Sequence, residues 1–478
     1  MGYLEKQKKE QKIIRVLAWL DSPACATGFA SVARGILTYL GTHGYLIDVI
    51  GINDTGGWKD PQKYPYRIYP AKPGIMEGDY FGRPRLINAV LGQDKEIRPP
   101  WDIIFTLNDP FILEQPLPVF NKGALDILKE TQDVFLKKLP PRFWFKLVSY
   151  WPIDSPIKPN WVDRSVSLPN ISVAYTNYGK NEVADADRQL DKPTKIVDRM
   201  RVIYHGIDTS VFNPPPQHEV DEFRTQFFEN KVKKDTFLIS VIARNQLRKD
   251  LPRTLQIFSD FIRRRPDSFL YIHAQENDAW GSLREYARNW RNLEFGVNWA
   301  VPNKFTANQG FPVKEVNKIY NASDCILSTS LGEGFGFYNL EGFATKTLVV
   351  APNNTVHPEL FNYDKNEDIS DLDKIYQKLR GIPLKCRSTS SEWATYGSQD
   401  FERIRPIVNV DDALKKLIWV YENPDKVKQI EEQAYKWVQN YDWTIIAEQW
   451  NQLFRQVYKE LENERKETKA TVDPVKST

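Results

Sequence analysis

The stretch from Ile13 to Ile52 constrains the fold most. Ile13 to Leu20 is a short apolar run that empties into the small-residue loop Asp21-Ser22-Pro23-Ala24-Cys25-Ala26-Thr27-Gly28-Phe29-Ala30. Val32, Ile36, Leu37 and Leu40 then fall at helical spacing, Gly41 to Gly44 ends that helix, and Tyr45 to Ile52 is a second apolar run. Strand, small loop, helix and strand open a parallel α/β domain. The pattern recurs, with predicted strands at Trp101–Leu107, Phe145–Tyr150, Ser172–Thr176 and Arg201–Tyr204. Past the linker around Pro214-Pro215-Pro216 a second series follows, at Thr236–Ala243, Phe269–His273, Leu293–Phe295 (a weak one), Cys325–Leu327 and Thr347–Ala351. Pro252–Arg264, Val313–Asn321 and Tyr338–Thr345 read as its helices, and Val410–Asn423, Pro424–Asn440 and Trp443–Leu461 as further ones. Residues 53–100 read as an aromatic-rich loop, Asn177-Tyr178-Gly179 as a turn, 382–405 as a polar surface insertion, and the charged tail after Glu462 as disordered. A chain of 478 residues has room for two such domains.

The totals narrow the function classes. With 65 Lys and Arg against 62 Asp and Glu, the net charge of +3 argues against extensive contact with duplex nucleic acid. The locally basic start (Lys6, Lys8, Lys9, Lys12, Arg15) reads as a solvated leader. Cys25, Cys325 and Cys386 have neither metal-ligand spacing nor a disulfide framework, so no metal is expected. The charged N-terminus lacks a signal peptide's apolar core, and no apolar run has the length of a membrane span; the cytoplasm is the expected compartment.

The most informative segment is Ser330-Leu331-Gly332-Glu333-Gly334-Phe335-Gly336-Phe337-Tyr338-Asn339-Leu340-Glu341-Gly342. A helix starting near Phe337 points the backbone N–H groups of Gly334 to Phe337 at an anion, and its dipole favours negative charge there. Glycine lets that backbone approach a phosphate closely. Carboxylates accept hydrogen bonds from hydroxyls, so Glu333 is a candidate for gripping a sugar and Glu341 for a ribose. A helix start with acidic residues and a glycine turn would look the same. The strand Ile239–Ala243 ends on Arg244, followed by Arg248 and Lys249, and Arg244 with Lys249 can neutralise one phosphate group. A solvated basic turn is the alternative. Asp154, after the strand ending Tyr150-Trp151, is a candidate polar group or a turn cap.

Together these segments resemble the family 4 glycosyltransferases. Gly28-Phe29-Ala30 is similar to that family's N-terminal glycine loop, Tyr204-His205-Gly206-Ile207-Asp208 through Pro214 to its domain-linking strand and loop, and Arg244 with Lys249 to its phosphate-contacting pair. Tyr320-Asn321-Ala322-Ser323-Asp324 and Glu333 through Glu341 are similar to its donor-site signature, and Trp443 with Trp450 and Leu453 to its returning C-terminal helix. The resemblance implies an α/β chain of GT-B architecture, with two Rossmann-like parallel-sheet domains facing across a cleft. It implies an acceptor domain over 1–205, a linker over 206–232, a donor-binding domain over 233–440, a returning helix over 441–462 and a tail over 463–478. It further implies metal-independent transfer of a hexose-type sugar, with retention, from a nucleoside-diphosphate sugar. Gly28, Arg244, Lys249, Glu333, Gly334, Phe335, Gly336 and Glu341 would bind the donor; Glu333, Arg244, Lys249 and Asp154 would serve the chemistry. No other cofactor is expected. The family often has a histidine near the donor sugar; the comparable segment here, Tyr150 to Asp154, has none. The acceptor stays open between a glycan, a small molecule and a modified nucleic-acid base. A nucleotide-sugar epimerase and a non-catalytic nucleotide-sugar binding protein are the other readings.

Overall fold

The computed structural model describes residues 12–72, 79–90, 92–114, 145–278, 280–303, 310–387, 393–394, 403 and 405–472. Lys6, Lys8, Lys9, most of the 382–405 insertion and the last residues of the tail lie outside these. The chain divides into two units. One comprises Met1–Ile153, Ile157–Gly206 and Trp443–Thr478; the other comprises Asp154–Pro156 and Ile207–Asp442.

The first unit is built on a parallel sheet of β1 (Ile14–Asp21), β2 (Tyr45–Ile52), β3 (Arg67–Pro70), β4 (Ile103–Leu107), β5 (Lys146–Trp151), β6 (Ile171–Ala174) and β7 (Arg201–Val202). Their order is β3-β2-β1-β4-β5-β6-β7, so the direction of winding reverses between β1 and β4. Inner strands of such a sheet are covered on both faces, which is why β1 and β4 are apolar almost throughout. Thr27 starts α1 (Gly28–Gly41) by accepting a hydrogen bond from the Ala30 N–H, and the helix buries Ala30, Val32, Ala33, Ile36, Leu37 and Leu40.

Three expectations for this unit are corrected. Residues 53–100 are not all loop: they supply the edge strand β3 and the helix α2 (Arg83–Val90). Asn177-Tyr178-Gly179 is no turn but the first turn of α3 (Asn177–Asp187), capped by the Thr176 hydroxyl on the Gly179 N–H. The final helix, which will be α11, runs from Trp443 to Val472, well past Glu462. Its charged end is held by ion pairs on the sheet: Arg465 with Asp102 at 2.7 Å and Glu464 with Lys146 at 2.6 Å. Further back its Trp450 is buried against Phe105, Tyr150 and Phe454. Gly35 and Gly206 both lie so close to the Trp443 indole that a Cβ on either would overlap it.

The second unit carries α4 (Gln217–Phe227), β8 (Phe237–Ile242), α5 (Leu251–Ile262), β9 (Ser268–His273), β10 (Trp299–Ala300), α6 (Val313–Ala322), β11 (Cys325–Leu327), α7 (Phe337–Ala344), β12 (Leu348–Pro352), α8 (His357–Phe361) and β13 (Ile382–Leu384). Its parallel sheet has the order β10-β9-β8-β11-β12-β13. The strand expected at Leu293–Phe295 is displaced to β10, because Gly296, at φ +78, turns the chain and its N–H bonds the Trp299 carbonyl. A small antiparallel sheet of β14 (Cys386–Arg387), β15 (Trp393–Ala394) and β16 (Arg405–Val408) follows, then α9 (Val410–Glu422), α10 (Pro424–Val438) and α11. Among the described residues, no helix is long and apolar enough to cross a membrane.

Candidate functional site

The site of the second unit forms where two loops leave neighbouring parallel strands. The loop after β8, residues 243–250, and the loop after β11, residues 328–336, are sewn together by backbone and hydroxyl bonds. The Leu331 N–H donates to the Arg248 carbonyl at 2.8 Å. The Thr329 hydroxyl donates to the carbonyls of Lys249 and Asp250, at 3.0 and 2.9 Å. Asn354 fixes the second loop from the far side through the Ser330 carbonyl at 3.1 Å. Two non-glycine residues beside the site, Asp250 at φ +45 and Thr355 at φ +46, sit in the left-handed region. Such backbone is costly and persists where the surroundings dictate it. Thr355 uses its position to accept a hydrogen bond from the Glu333 N–H at 3.1 Å.

Glu333 is the centre of the cluster and is buried. One carboxylate oxygen pairs with Lys249, the other with Arg248 at 3.0 Å. Burial by itself would raise the Glu333 carboxyl, but Lys249 and then Arg248 overturn that and hold it far below the usual carboxylate range. Burial lowers the Lys249 ammonium, against the pull of Glu333. Arg248 also reaches Asp154, 3.4 Å away, and Asp154 is gripped in turn by Arg405. Arg405 is 1% exposed and donates to both the Asp154 carbonyl, at 2.8 Å, and its carboxylate, at 3.0 Å. Three cations thus surround two carboxylates, and the fork of Arg405 suits that planar double contact. Gly332 has no room for a side chain: a Cβ there would meet the Asp154 carbonyl and the Arg405 guanidinium.

Directly after this cluster the chain enters α7. Gly336 precedes it at φ +77, a conformation that favours glycine. Phe335 is buried and Gly334 half-buried. In the first turns of α7, the Tyr338 hydroxyl pairs with His357 Nε2 at 2.8 Å, and burial lowers His357 to about 4, so its ring is neutral. Lys249 and Tyr338 wall the same cavity of about 10 Å³, no more than the room of one water. Glu341 lies further along the helix and accepts the Tyr320 hydroxyl of α6 at 2.6 Å. Burial raises its carboxyl to about 7, with Tyr320 opposing.

The structure therefore brings Lys249, Glu333, Asp154 and the start of α7 together, with Glu341 on the same helix. Arg244 stands exposed at the end of β8, outside these ion pairs, and Arg248 occupies the place beside Lys249. Gly28 belongs to the first unit, where it is the first residue of α1. Of the signature before the site, Asn321 ties α6 to the Asn213 carbonyl at 3.1 Å, and Asp324 accepts the Leu238 N–H at 2.7 Å; both hold the scaffold. Arg405 and Thr355 were not singled out from the sequence, which carries no local signal for them: each acts through a contact remote along the chain. Among the described residues, no group of three or more His, Cys, Asp and Glu is placed to hold a metal ion.

No protein-family model and no curated protein matches the chain. Solved structures do. Anabaena HepE in complex with UDP and glucose is 14% identical, with a TM-score of 0.59 over 93% of this chain and 100% of that one. A glycosyltransferase from Rickettsia africae is 15% identical, with a TM-score of 0.60 over 94% and 99%. Sucrose-phosphate synthase from Thermosynechococcus elongatus is 12% identical, with a TM-score of 0.60 over 94% and 100%. At these identities the likeness establishes the fold, the α/β pair of parallel-sheet units expected from the sequence.

Proposed function

We propose that the chain is a glycosyltransferase that moves a hexose-type sugar from a nucleoside-diphosphate sugar to an acceptor hydroxyl, with retention and without a metal. The observation that carries this reading is the pairing of buried Glu333 with half-buried Lys249 and Arg248, leading straight into the glycine-opened start of α7. The fold shared with Anabaena HepE, which is in complex with UDP and glucose, supports it.

In this reading Lys249, Arg248 and the first N–H groups of α7 hold the diphosphate, and Glu341 takes the ribose hydroxyls. Glu333, held far below the usual range, is a poor base and a poor nucleophile, so it orients the sugar rather than attacking it. The bond from the anomeric carbon to the phosphate oxygen breaks as the acceptor oxygen bonds to that carbon from the same face. The acceptor proton passes to the departing diphosphate. Negative charge grows on the leaving oxygen, where a fixed cation contributes most to the rate.

A thermal-shift screen of nucleoside diphosphates and nucleotide sugars tests the proposal. A ligand at 100 times its Kd adds about 2.7 kcal/mol to stability. At least one such compound is expected to raise Tm by several degrees, and a panel that leaves Tm unmoved would contradict the reading.

A further inference from the structure

The aromatic-rich segment after β2 has no part in the site above, yet it is built with care. Asp54 accepts from the Ser22 hydroxyl at 2.5 Å, the Gly56 N–H at 2.7 Å and Lys59 at 3.2 Å. Lys59 donates in addition to the Gly56 carbonyl at 2.9 Å. Gly56 and Gly57, at φ +81 and +87, complete a turn that few other sequences could make. What this pinned turn presents is Trp58, 82% exposed. A second aromatic, Tyr80, is 57% exposed on a turn that is also anchored: Asp79 accepts the N–H groups of Phe81 and Arg83, and the Trp19 indole donates to the Phe81 carbonyl.

Asn53, next to Asp54 in the chain, bonds Tyr80 of the second turn. It sits at the carboxyl end of β2 in the left-handed region, φ +63. Its side-chain oxygen accepts the Tyr80 hydroxyl, and its amide nitrogen donates to Asp21 at 3.2 Å. A carboxamide has two N–H groups and two lone pairs. Exposed Asn53 therefore keeps one donor and one acceptor facing water, in an orientation its neighbours set.

An oriented amide hydrogen-bonded to one exposed aromatic, with a second exposed aromatic on the pinned turn five residues further along the chain, is the chemistry that recognises a sugar ring. The C–H face of a pyranose covers an aromatic ring, and its hydroxyls exchange hydrogen bonds with an amide. The location also fits, since ligands of open parallel sheets lie beyond the carboxyl ends of the strands. We infer that Asn53, Trp58 and Tyr80 form a saccharide-binding surface, and that the acceptor of the transfer is a saccharide. The acceptor role rests on the proposed function; the binding surface does not.

The test probes an array of immobilised neutral oligosaccharides with the full chain, with and without UDP, and measures Tm with UDP separately. Wild type is expected to bind at least one oligosaccharide. Trp58→Ala, at a site too exposed to matter for folding, should bind it about tenfold more weakly, and Trp58→Phe, which keeps a ring, within about threefold of wild type. An array that stays unbound, or equal binding by Trp58→Ala, overturns the inference. Unbound saccharides with a Tm raised by UDP would leave the transfer reading standing. Trp58-dependent binding with no response to any nucleotide would keep the surface and remove its acceptor role.

Discussion

Glu341 is the residue whose ionisation says most about its purpose. Its carboxyl is raised from 4.5 to about 7, so the folded chain holds a proton that the unfolded chain releases. Holding that proton favours the fold fully below pH 4.5, and the advantage is lost as pH rises through about 7. Glu341→Gln keeps an acceptor for Tyr320 and removes the loss. It should be more stable than wild type at pH 8, by about 3 kcal/mol, and equal to it near pH 4.5, by urea unfolding at each pH. The same substitution should weaken nucleoside-diphosphate binding; unchanged affinity would take Glu341 out of the site. A buried carboxyl kept at this cost is expected where function asks for it. Glu333 is the opposite case, ionised because two cations outweigh its burial. The glycines around Glu333 and the basic residues at a strand end made it and Lys249 legible in the sequence. Arg244 carries the same signal, and at the end of its strand it forms no ion pair with Glu333 or Asp154. The short turn at Leu247–Lys249 turns Arg248 in and leaves Arg244 in water.

At the scale of elements, the site depends on loops with no slack. Gly336→Ala would force a side chain into φ +77, 2.8 Å from the Asn339 amide. It should cost about 1–2 kcal/mol, read as a lower urea midpoint. Arg405→Met removes both donors to Asp154 and leaves that carboxylate to Arg248 alone. Its cost should be about 3 kcal/mol, and Arg405→Lys should recover only part of it, because an ammonium cannot reproduce the fork. Equal stability of Arg405→Met and wild type would show the pair to be idle. Strand and helix periods made most elements readable, and the failures have physical causes. The cap at Thr176 hid behind Asn177 and Gly179, which usually signal a turn. β3 is a short edge strand with a mixed face, so it lacks the apolar run of its neighbours. Arg405 lies in a stretch whose composition reads as surface, and only the tertiary contact with Asp154 shows otherwise.

At the scale of the molecule, the chain builds one α/β unit, then a second, and returns to the first through α11. Repeated strand, loop and helix signals gave that plan away, because each parallel strand needs a covering helix. The charged end of α11 did not, since its helix is stabilised by ion pairs with Lys146 and Asp102 rather than by an apolar stripe. In the proposed transfer, Lys249 of the second unit stabilises the charge that develops on the departing diphosphate. The direct measurement compares wild type and Lys249→Ala for release of nucleoside diphosphate from a panel of nucleotide sugars, beside their affinity for the free nucleoside diphosphate. Turnover of at least one nucleotide sugar by wild type is expected, reduced about 100-fold or more in the variant, with affinity reduced far less. Equal losses in turnover and affinity, or no nucleotide sugar bound or cleaved by wild type, would contradict this.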